Sequence, residues 1–540
     1  MNVWNPVRKK TPPYMLERLN YVVIGVSGEV VSVSSPRIRR LNDESIDDSG
    51  EFVLYWMTST RRYHYNAALD RAIELCQELG KPLLVVECIS VRHEWSSERV
   101  LTFVVQGMVD NISIFSDNGI TYLPWIENHL DSGDGMLKKL STKACAVVID
   151  DYPTYLPRWV MERASKSCKV NVEAVDSNGI IPMSYADKAH KTAYSFRKHV
   201  QKSLYSALST IPNESPMSGV SSDLSMDMSR FDDIIEELNI EFPPLEWIWR
   251  VSEGGSVGKK AMAPLTIDHE VYSVESMKGG YFEALSRLGR FIEKRLQNYS
   301  EGRNDADNPA VSGLSPWLHF GHISSFRIVK EVLEKENWTY DSVCVEDTGR
   351  GSRSGWWGLS ESAESFLDQI ITWRELGFNF AHFRRDHKSL DSIPNWAKET
   401  LNEHRDDERV SYTFEEIEGA KTSDEVWNSA QRQLLRTGHM HNYLRMLWGK
   451  RILEWSPNPE TAADWMIRIN DRWALDGRDP NSYTGIFWVL GRHDRAWGPE
   501  RPIFGKVRYM SSANTKRKLK LDGYLSRWAE DAPLPKSLRR

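Results

Sequence analysis

Residues 437–455 read Thr437-Gly-His439-Met-His441-Asn442-Tyr-Leu-Arg445-Met446-Leu-Trp448-Gly-Lys-Arg-Ile-Leu-Glu-Trp455. Apolar, aromatic and basic residues mix here without strand-like alternation, which reads as a helix. Trp448 and Trp455 stand seven apart, two turns on one helical face, about 10 Å of rise. The same texture, rich in Leu, Trp and Arg with short Gly and Pro breaks, runs from about residue 278 to the end. The second half is therefore expected to be an all-helical domain, 278–540.

Toward the amino terminus the pattern changes. Strand-like runs appear at Phe52–Met57, Pro82–Cys88, Ile120–Trp125, Ala144–Ile149 and Val170–Ala174, with helical stretches between them at about 64–80, 97–116 and 157–167. Such alternation predicts a Rossmann-like parallel sheet with helices on both faces, an α/β domain over 51–185. No GxGxxG follows the first strand, so a standard dinucleotide site is not indicated. Residues 1–50 lack periodicity and read as an extension or poorly ordered arm. Residues 186–277 read as a long connector, and within it 208–262, with Pro212, Pro216, Pro243 and Pro244, as a linker region. Its Gly254–Lys260 stretch fails as a phosphate loop, because Glu253 stands where a glycine is needed and Lys260 follows Lys259 in place of Ser or Thr.

Composition narrows the function. The 540 residues include 21 Trp, more than packing usually needs. A helical core rich in aromatics is the ordinary explanation; rings that bind a planar cofactor or a base, or that carry electrons, are the sharper one. Cys76, Cys88, Cys145, Cys168 and Cys344 show no metal-ligand spacing and read as reduced thiols, so no metal site is expected. No stretch is long and apolar enough for a membrane span, and the expectation is a soluble, intracellular protein. The net charge of −6 does not advertise a nucleic-acid binder, yet Arg501–Arg540 holds eleven Lys or Arg against Asp522, Glu530 and Asp531.

Four segments of the helical half bear chemistry. Tyr299-Ser-Glu-Gly-Arg303 is followed by Val311-Ser312-Gly313-Leu314-Ser315-Pro-Trp, whose hydroxyls before Pro316 suit a helix start, either as plain capping or as a phosphate cradle. Phe366-Leu-Asp-Gln369-Ile-Ile-Thr-Trp373 sets an amide and an indole four apart on one face. Trp427 precedes the 437–455 stretch. Ile469-Asn470-Asp471-Arg472-Trp-Ala-Leu-Asp476-Gly477-Arg478 runs on to Trp488 and His493-Asp-Arg495-Ala-Trp497.

In this order, LSPWLHFGHIS, TGHMHNYLRMLWGKRILEW, INDRWALDGRDPNSYTGIFW and HDRAWG resemble the DNA photolyase and cryptochrome family, most closely the class II photolyases of cyclobutane pyrimidine dimers. The resemblance spans roughly residues 52–525. It implies FAD, bent into a U within the helical domain, with Tyr299 and Val311, Ser312, Gly313, Leu314 and Ser315 at its phosphates and ribityl chain. Arg445 and Asp476 are implied beside the isoalloxazine, with Gly477 and Arg478 next to them and Asn470 near N5. Trp427, Trp448 and Trp455 match an electron relay; Trp373 and Trp488 match the indoles flanking a flipped-out dimer. Asn442 and Met446 match that pocket's lining, and Arg303, Arg495 and Trp497 the DNA-contacting surface. UV-damaged DNA is the implied partner, the enzyme a light-dependent lyase, monomeric, cytoplasmic or nuclear.

Three departures qualify the resemblance. Gln369 stands where class II enzymes have Glu, and an amide donates hydrogen bonds but cannot yield a proton. A (6-4) photolyase, which carries Gln there but needs an active-site His where this chain has Met446, and a cryptochrome-like blue-light photoreceptor are the alternatives this opens. The loop after Trp488 is one residue short. The segment Thr58–Asn66 departs from the family pattern beside an antenna chromophore of deazaflavin or folate type.

Overall fold

The computed structural model describes residues 35–128, 133, 135–220, 223–339, 342–343 and 349–533. Six strands form one sheet in the order β1-β6-β5-β2-β3-β4: β1 Ile38–Arg40, β2 Phe52–Met57, β3 Leu83–Ile89, β4 Thr121–Ile126, β5 Ala144–Asp150 and β6 Asn171–Val175. All pairs are parallel except β1 with β6. Strands β2 and β5 are buried on both faces, as a sheet covered by helices on each side requires. Helices Ala67–Leu79, Glu98–Asp117 and Tyr155–Ser167 lie where the periodicity predicts them, within three residues.

The extension reading fails for residues 35–50. Ile38 and Arg39 pair with Val175 and Ala174, and buried Arg37 donates to the carbonyls of Asp176, Gly179 and Ile180. A three-residue edge strand with two arginines has too little apolar signal to be read from sequence. Residues 1–34 and Cys344 lie outside the described residues.

The connector is also more ordered than its prolines suggest. Helices span Ala193–Leu208, Met228–Leu238, Leu245–Glu253 and Gly255–Met262. Ile248, Val251 and Met262 pack with Val104 and Met108 of the helix Glu98–Asp117. Gly254, at φ 63°, makes the sharp turn between the last two helices, and Gly258 admits close approach, because a Cβ there would lie 3.1 Å from the Val251 carbonyl. The glycines serve helix packing, not a phosphate loop.

Beyond residue 280 the described chain is mostly helical, and two apolar clusters hold it, one of them joined by the helix Ala193–Leu208. One gathers Phe196, Leu204, Phe291, Tyr299, Trp317 and Phe366; the other gathers Trp427, Trp448, Trp455, Tyr483, Phe487 and Trp528. Arg99 ties the α/β layer to this region by donating to the Leu435 and Trp473 carbonyls at 2.7 Å each. No described helix is long and apolar enough to cross a membrane.

Candidate functional site

Helix Asn442–Trp455 packs against helices Glu425–Thr437, Pro459–Trp473 and Pro480–Val489. Gly449 permits the last contact, since a Cβ there would come within 2.6 Å of the Val489 side chain. From this helix Arg445 projects half-exposed, and its Nη2 donates to Asp476 Oδ1 at 3.0 Å. Ser315 donates to the other oxygen, Oδ2, at 2.7 Å. Burial pushes the Asp476 carboxyl up, but Arg445, His439 and the two hydrogen bonds outweigh it and bring it down to about 2. His439, beside this pair, is held neutral by burial, down to about 4. Apart from Asp476, the Arg445 guanidinium has no partner among the described residues.

The turn after helix Pro459–Trp473 is fixed by Asp471. Its Oδ1 accepts from the Arg478 backbone N–H and from Asn470, and its Oδ2 from the Tyr483 hydroxyl. Asn470 also donates to Ser482 at 2.8 Å. Gly477 is needed here, because a Cβ would sit 2.6 Å from the Asn470 carbonyl. The Arg478 guanidinium turns back onto the carbonyls of Asp471 and Ala474. Of the remaining expected cofactor residues, Tyr299 is buried against Phe366 with Arg303 over its ring, and Leu314 is buried. The Val311 carbonyl accepts from Arg295, and Gly313 adopts φ 65°. Ser312 is half-buried.

Trp427, Trp448 and Trp455 are all buried. No ring contact joins Trp448 to Trp455 among the described residues; Trp427, from the neighbouring helix, fills the gap. Its Nε1 donates to the Trp448 carbonyl at 3.0 Å, and its ring meets Trp455 edge-on with centroids 5.2 Å apart. Tyr412, half-buried and unnoticed in the sequence, extends the series, 5.2 Å from Trp455.

Gln369 and Trp373 lie in a π-helical turn, Asp368–Trp373, between helices Glu361–Leu367 and Arg374–Phe383. Such turns re-aim side chains and recur at functional sites. Both residues are half-buried, and among the described residues the Gln369 amide has no hydrogen-bond partner and the Trp373 ring no aromatic or cationic one. The helix after Trp373 packs on helix Pro480–Val489 at Gly377, where a Cβ would lie 2.9 Å from Asn481 Cα. That helix bears half-buried Trp488. Asn442 is exposed and Met446 half-buried on the adjoining helix.

Around Trp488 the charges are mostly positive. The Arg508 guanidinium lies 5.6 Å from the Trp488 ring centroid and 5.0 Å from that of Trp497, and exposed Arg495 covers Trp497 at 4.6 Å. Arg508 has no acidic partner among the described residues and was hidden in sequence among other basic residues. Lys450, fully buried, donates to the Val489 carbonyl at 2.6 Å and lies 5.4 Å from the Trp488 ring. Burial is the main cause that brings its amine down to about 7.

The deoxyribodipyrimidine photo-lyase of Methanothermobacter thermautotrophicus is 34% identical over 498 residues, covering 92% of this chain and 98% of that protein. The chain belongs to the deoxyribodipyrimidine photolyase family. The enzymes of that name from Oryza sativa and Potorous tridactylus are 31% and 30% identical, over 90% and 82% of their lengths. No family model matches the chain. Among solved structures, a class III photolyase from Agrobacterium tumefaciens superposes with a TM-score of 0.57 at 16% identity, covering 90% of this chain and 87% of that one. A Synechocystis cryptochrome gives 0.59 at 17%, covering 88% of each chain. An archaeal photolyase from Sulfolobus tokodaii, solved with two FAD molecules, gives 0.57 at 14%, covering 89% and 90%. This photolyase thus shares both the fold and the reaction class of the family, whose members bind FAD.

The residues present fit such a flavin. Arg445 offers a guanidinium anchored on Asp476 with no other partner among the described residues, which suits an anionic ring; His439 beside it stays neutral, and the Ser315 bond to Asp476 holds the Val311–Ser315 segment against the pair.

Proposed function

We propose that this photolyase repairs cyclobutane pyrimidine dimers in UV-damaged DNA, as a class II enzyme, with FAD held between Tyr299–Ser315 and Arg445–Arg478. The observation that supports this most is Arg445, fixed by Asp476 and otherwise unpartnered among the described residues. Bound FAD supplies the light-absorbing electron donor. Arg445 balances negative charge on it, and Asp476, with Ser315, keeps the guanidinium from turning away. Asp471 and Ser482 fix the Asn470 side chain, which would lie beside the flavin, and Gly477 lets the turn after Asn470 close.

Trp448, Trp427 and Trp455 form the relay that restores the reduced cofactor. Each tryptophan is buried; Trp427 bonds the Trp448 carbonyl, and ring contacts run from Trp427 through Trp455 outward to half-buried Tyr412. Trp373 and Trp488 clamp the flipped-out bases, Met446 and Asn442 line the pocket, and Gln369 donates its amide N–H to a dimer carbonyl as charge develops there. Arg303, Arg495, Trp497 and Arg508 contact the DNA, with the basic segment 501–520 at neighbouring phosphates. The α/β half is where an antenna chromophore of deazaflavin or folate type would bind, and the departure of Thr58–Asn66 from the family pattern leaves its binding to be tested. We take the protein to be monomeric and intracellular.

The test is irradiation of the purified, fully reduced protein with DNA bearing either cyclobutane dimers or (6-4) photoproducts. Loss of the cyclobutane dimers is the expected result, and Gln369→Glu increases it. Repair of neither lesion, alongside light-driven flavin reduction, would favour the photoreceptor reading that Gln369 leaves open.

A further inference from the structure

We infer that helix Ala193–Leu208 and the adjoining loop Gly349–Gly355 form a second phosphate-contacting surface, which takes the duplex DNA flanking the lesion on one side. The inference rests on the DNA-repair reading above and adds a partner surface to it.

The sequence sets this region apart. From Lys188 to Asn213 there is no Asp or Glu, although the whole chain has a net charge of −6. The loop segment Gly349–Ser360 likewise contains no acid. Lys191, Lys202 and Arg353 are exposed and Lys198 half-buried, and none of the four has an acidic partner among the described residues. Tyr194 is 54% exposed, with the Lys198 ammonium 4.7 Å from its ring. Positions 194, 198 and 202 follow each other at four-residue steps, so one stripe of the helix presents an aromatic ring and two ammonium groups. Solvated cations in such density repel one another unless an anion of matching spacing lies against them, and a nucleic-acid backbone supplies one.

The surface is also rigid and joined to the site. Gln201 Oε1 accepts from the N–H groups of Gly349 and Gly351, and its Nε2 donates to the Ser352 carbonyl, which clamps the loop onto the helix. Gly351 lies flat on the stripe, because a Cβ there would come within 2.8 Å of the Tyr194 ring. Arg197, on the buried side of the same helix, holds Asp368 with two bonds of 2.7 and 3.0 Å, and Asp368 precedes Gln369 in the π-helical turn. At the other end, the Lys191 carbonyl contacts His493 Nδ1 at 3.0 Å, two residues from Arg495. The cations therefore continue the Arg495 surface past the mouth of the site. Backbone atoms and the buried face fix their positions, so the exposed side chains can be changed without loosening the fold.

The test is the salt dependence of binding for the full chain and for the triple variant Lys198→Gln, Lys202→Gln, Arg353→Gln, on a duplex with one central cyclobutane dimer and on the same duplex undamaged. Two to three lost phosphate contacts lower the slope of log affinity against log salt by about 0.9 each. Between 50 and 200 mM salt the wild type then loses about 10- to 40-fold more affinity than the variant. Shortening the duplex on one side of the lesion should weaken the wild type and leave the variant unchanged. Equal slopes for the two proteins on duplex DNA overturn the inference, as does a difference confined to single strands. A slope difference on both duplexes without preference for the dimer upholds this surface while refuting lesion recognition, so the two failures are distinct.

Discussion

The indole N–H of Trp427 donates to the backbone carbonyl of Trp448 at 3.0 Å, locking together two residues 21 apart on adjacent helices. The bond sets the Trp427 ring at the end of helix Asn442–Trp455, where it meets Trp455. Trp427 is thus the bridge in the series, and removing it breaks the series at its middle. Trp427→Phe keeps an apolar ring in a buried site but loses the N–H bond and the easily oxidised indole. The expected outcome is near-complete loss of light-driven flavin reduction, read by absorbance, with dimer repair retained after chemical reduction. Unchanged photoreduction would remove Trp427 from the route.

Asp476 predicts a pH dependence. Its carboxyl lies at about 2, below the ordinary 3.8, because Arg445, His439 and the Ser315 bond together exceed the cost of burial. A depressed carboxylate stabilises the fold above its unfolded value, and that contribution is lost as pH falls from about 4 to about 2. It amounts to about 2 kcal/mol. Asp476→Asn removes it at neutral pH and frees Arg445 to turn, so both stability and flavin retention should fall. Denaturant melts of wild type and variant should converge near pH 2. A constant gap across that range would contradict the assignment.

Much of this was legible before any coordinates. The five parallel strands announce themselves as mostly apolar runs, since a sheet buried on both faces leaves room for few polar residues, Glu87 and Asn171 among them. The ordered motifs around Arg445, Asp476 and Trp488 point to the family, which the relatives bear out. What escaped has physical causes. Strand β1 hides because Ile38 is its one apolar residue. The helices of the connector hide because Gly254 and Gly258, which look like breakers, allow a turn and a tight helix contact. Arg508 hides because its meaning lies in two indoles, at Trp488 and Trp497, that only the fold brings against it. Tyr412 becomes part of the tryptophan series only through a ring contact between distant helices.

Trp373 and Trp488 should act on the lesion more than on DNA in general. Stacking of a base on an aromatic ring contributes about 1–3 kcal/mol by alanine substitution. Trp373→Ala and Trp488→Ala are therefore each expected to weaken binding of dimer-containing duplex about 10- to 100-fold. Undamaged duplex, which keeps its bases stacked, should be bound almost as before. Titration of the two duplexes at one salt concentration separates the cases. Equal losses on both would mean that the indoles serve the surface and not the pocket.

Lys450 makes the last prediction, because its burial runs against its charge. The ammonium is fully buried, with the Val489 carbonyl as its hydrogen-bond acceptor and the Trp488 ring at 5.4 Å. Burial is the main cause lowering the amine to about 7; Arg508 adds to it, and Asp494 opposes. A lysine whose folded value lies below its unfolded 10.5 binds fewer protons when folded. Stability then rises as pH climbs from about 7 to about 10, and the penalty is fully present below 7. The gap corresponds to roughly 5 kcal/mol. Lys450→Met removes the titration, at the cost of leaving the Val489 carbonyl unpaired, about 1–3 kcal/mol. The variant should be at least as stable as wild type at pH 6 and clearly less stable at pH 10. The difference between the two stability curves isolates this one group from every other that titrates. Parallel curves would show that water or movement of the Trp488 helix already relieves the buried charge.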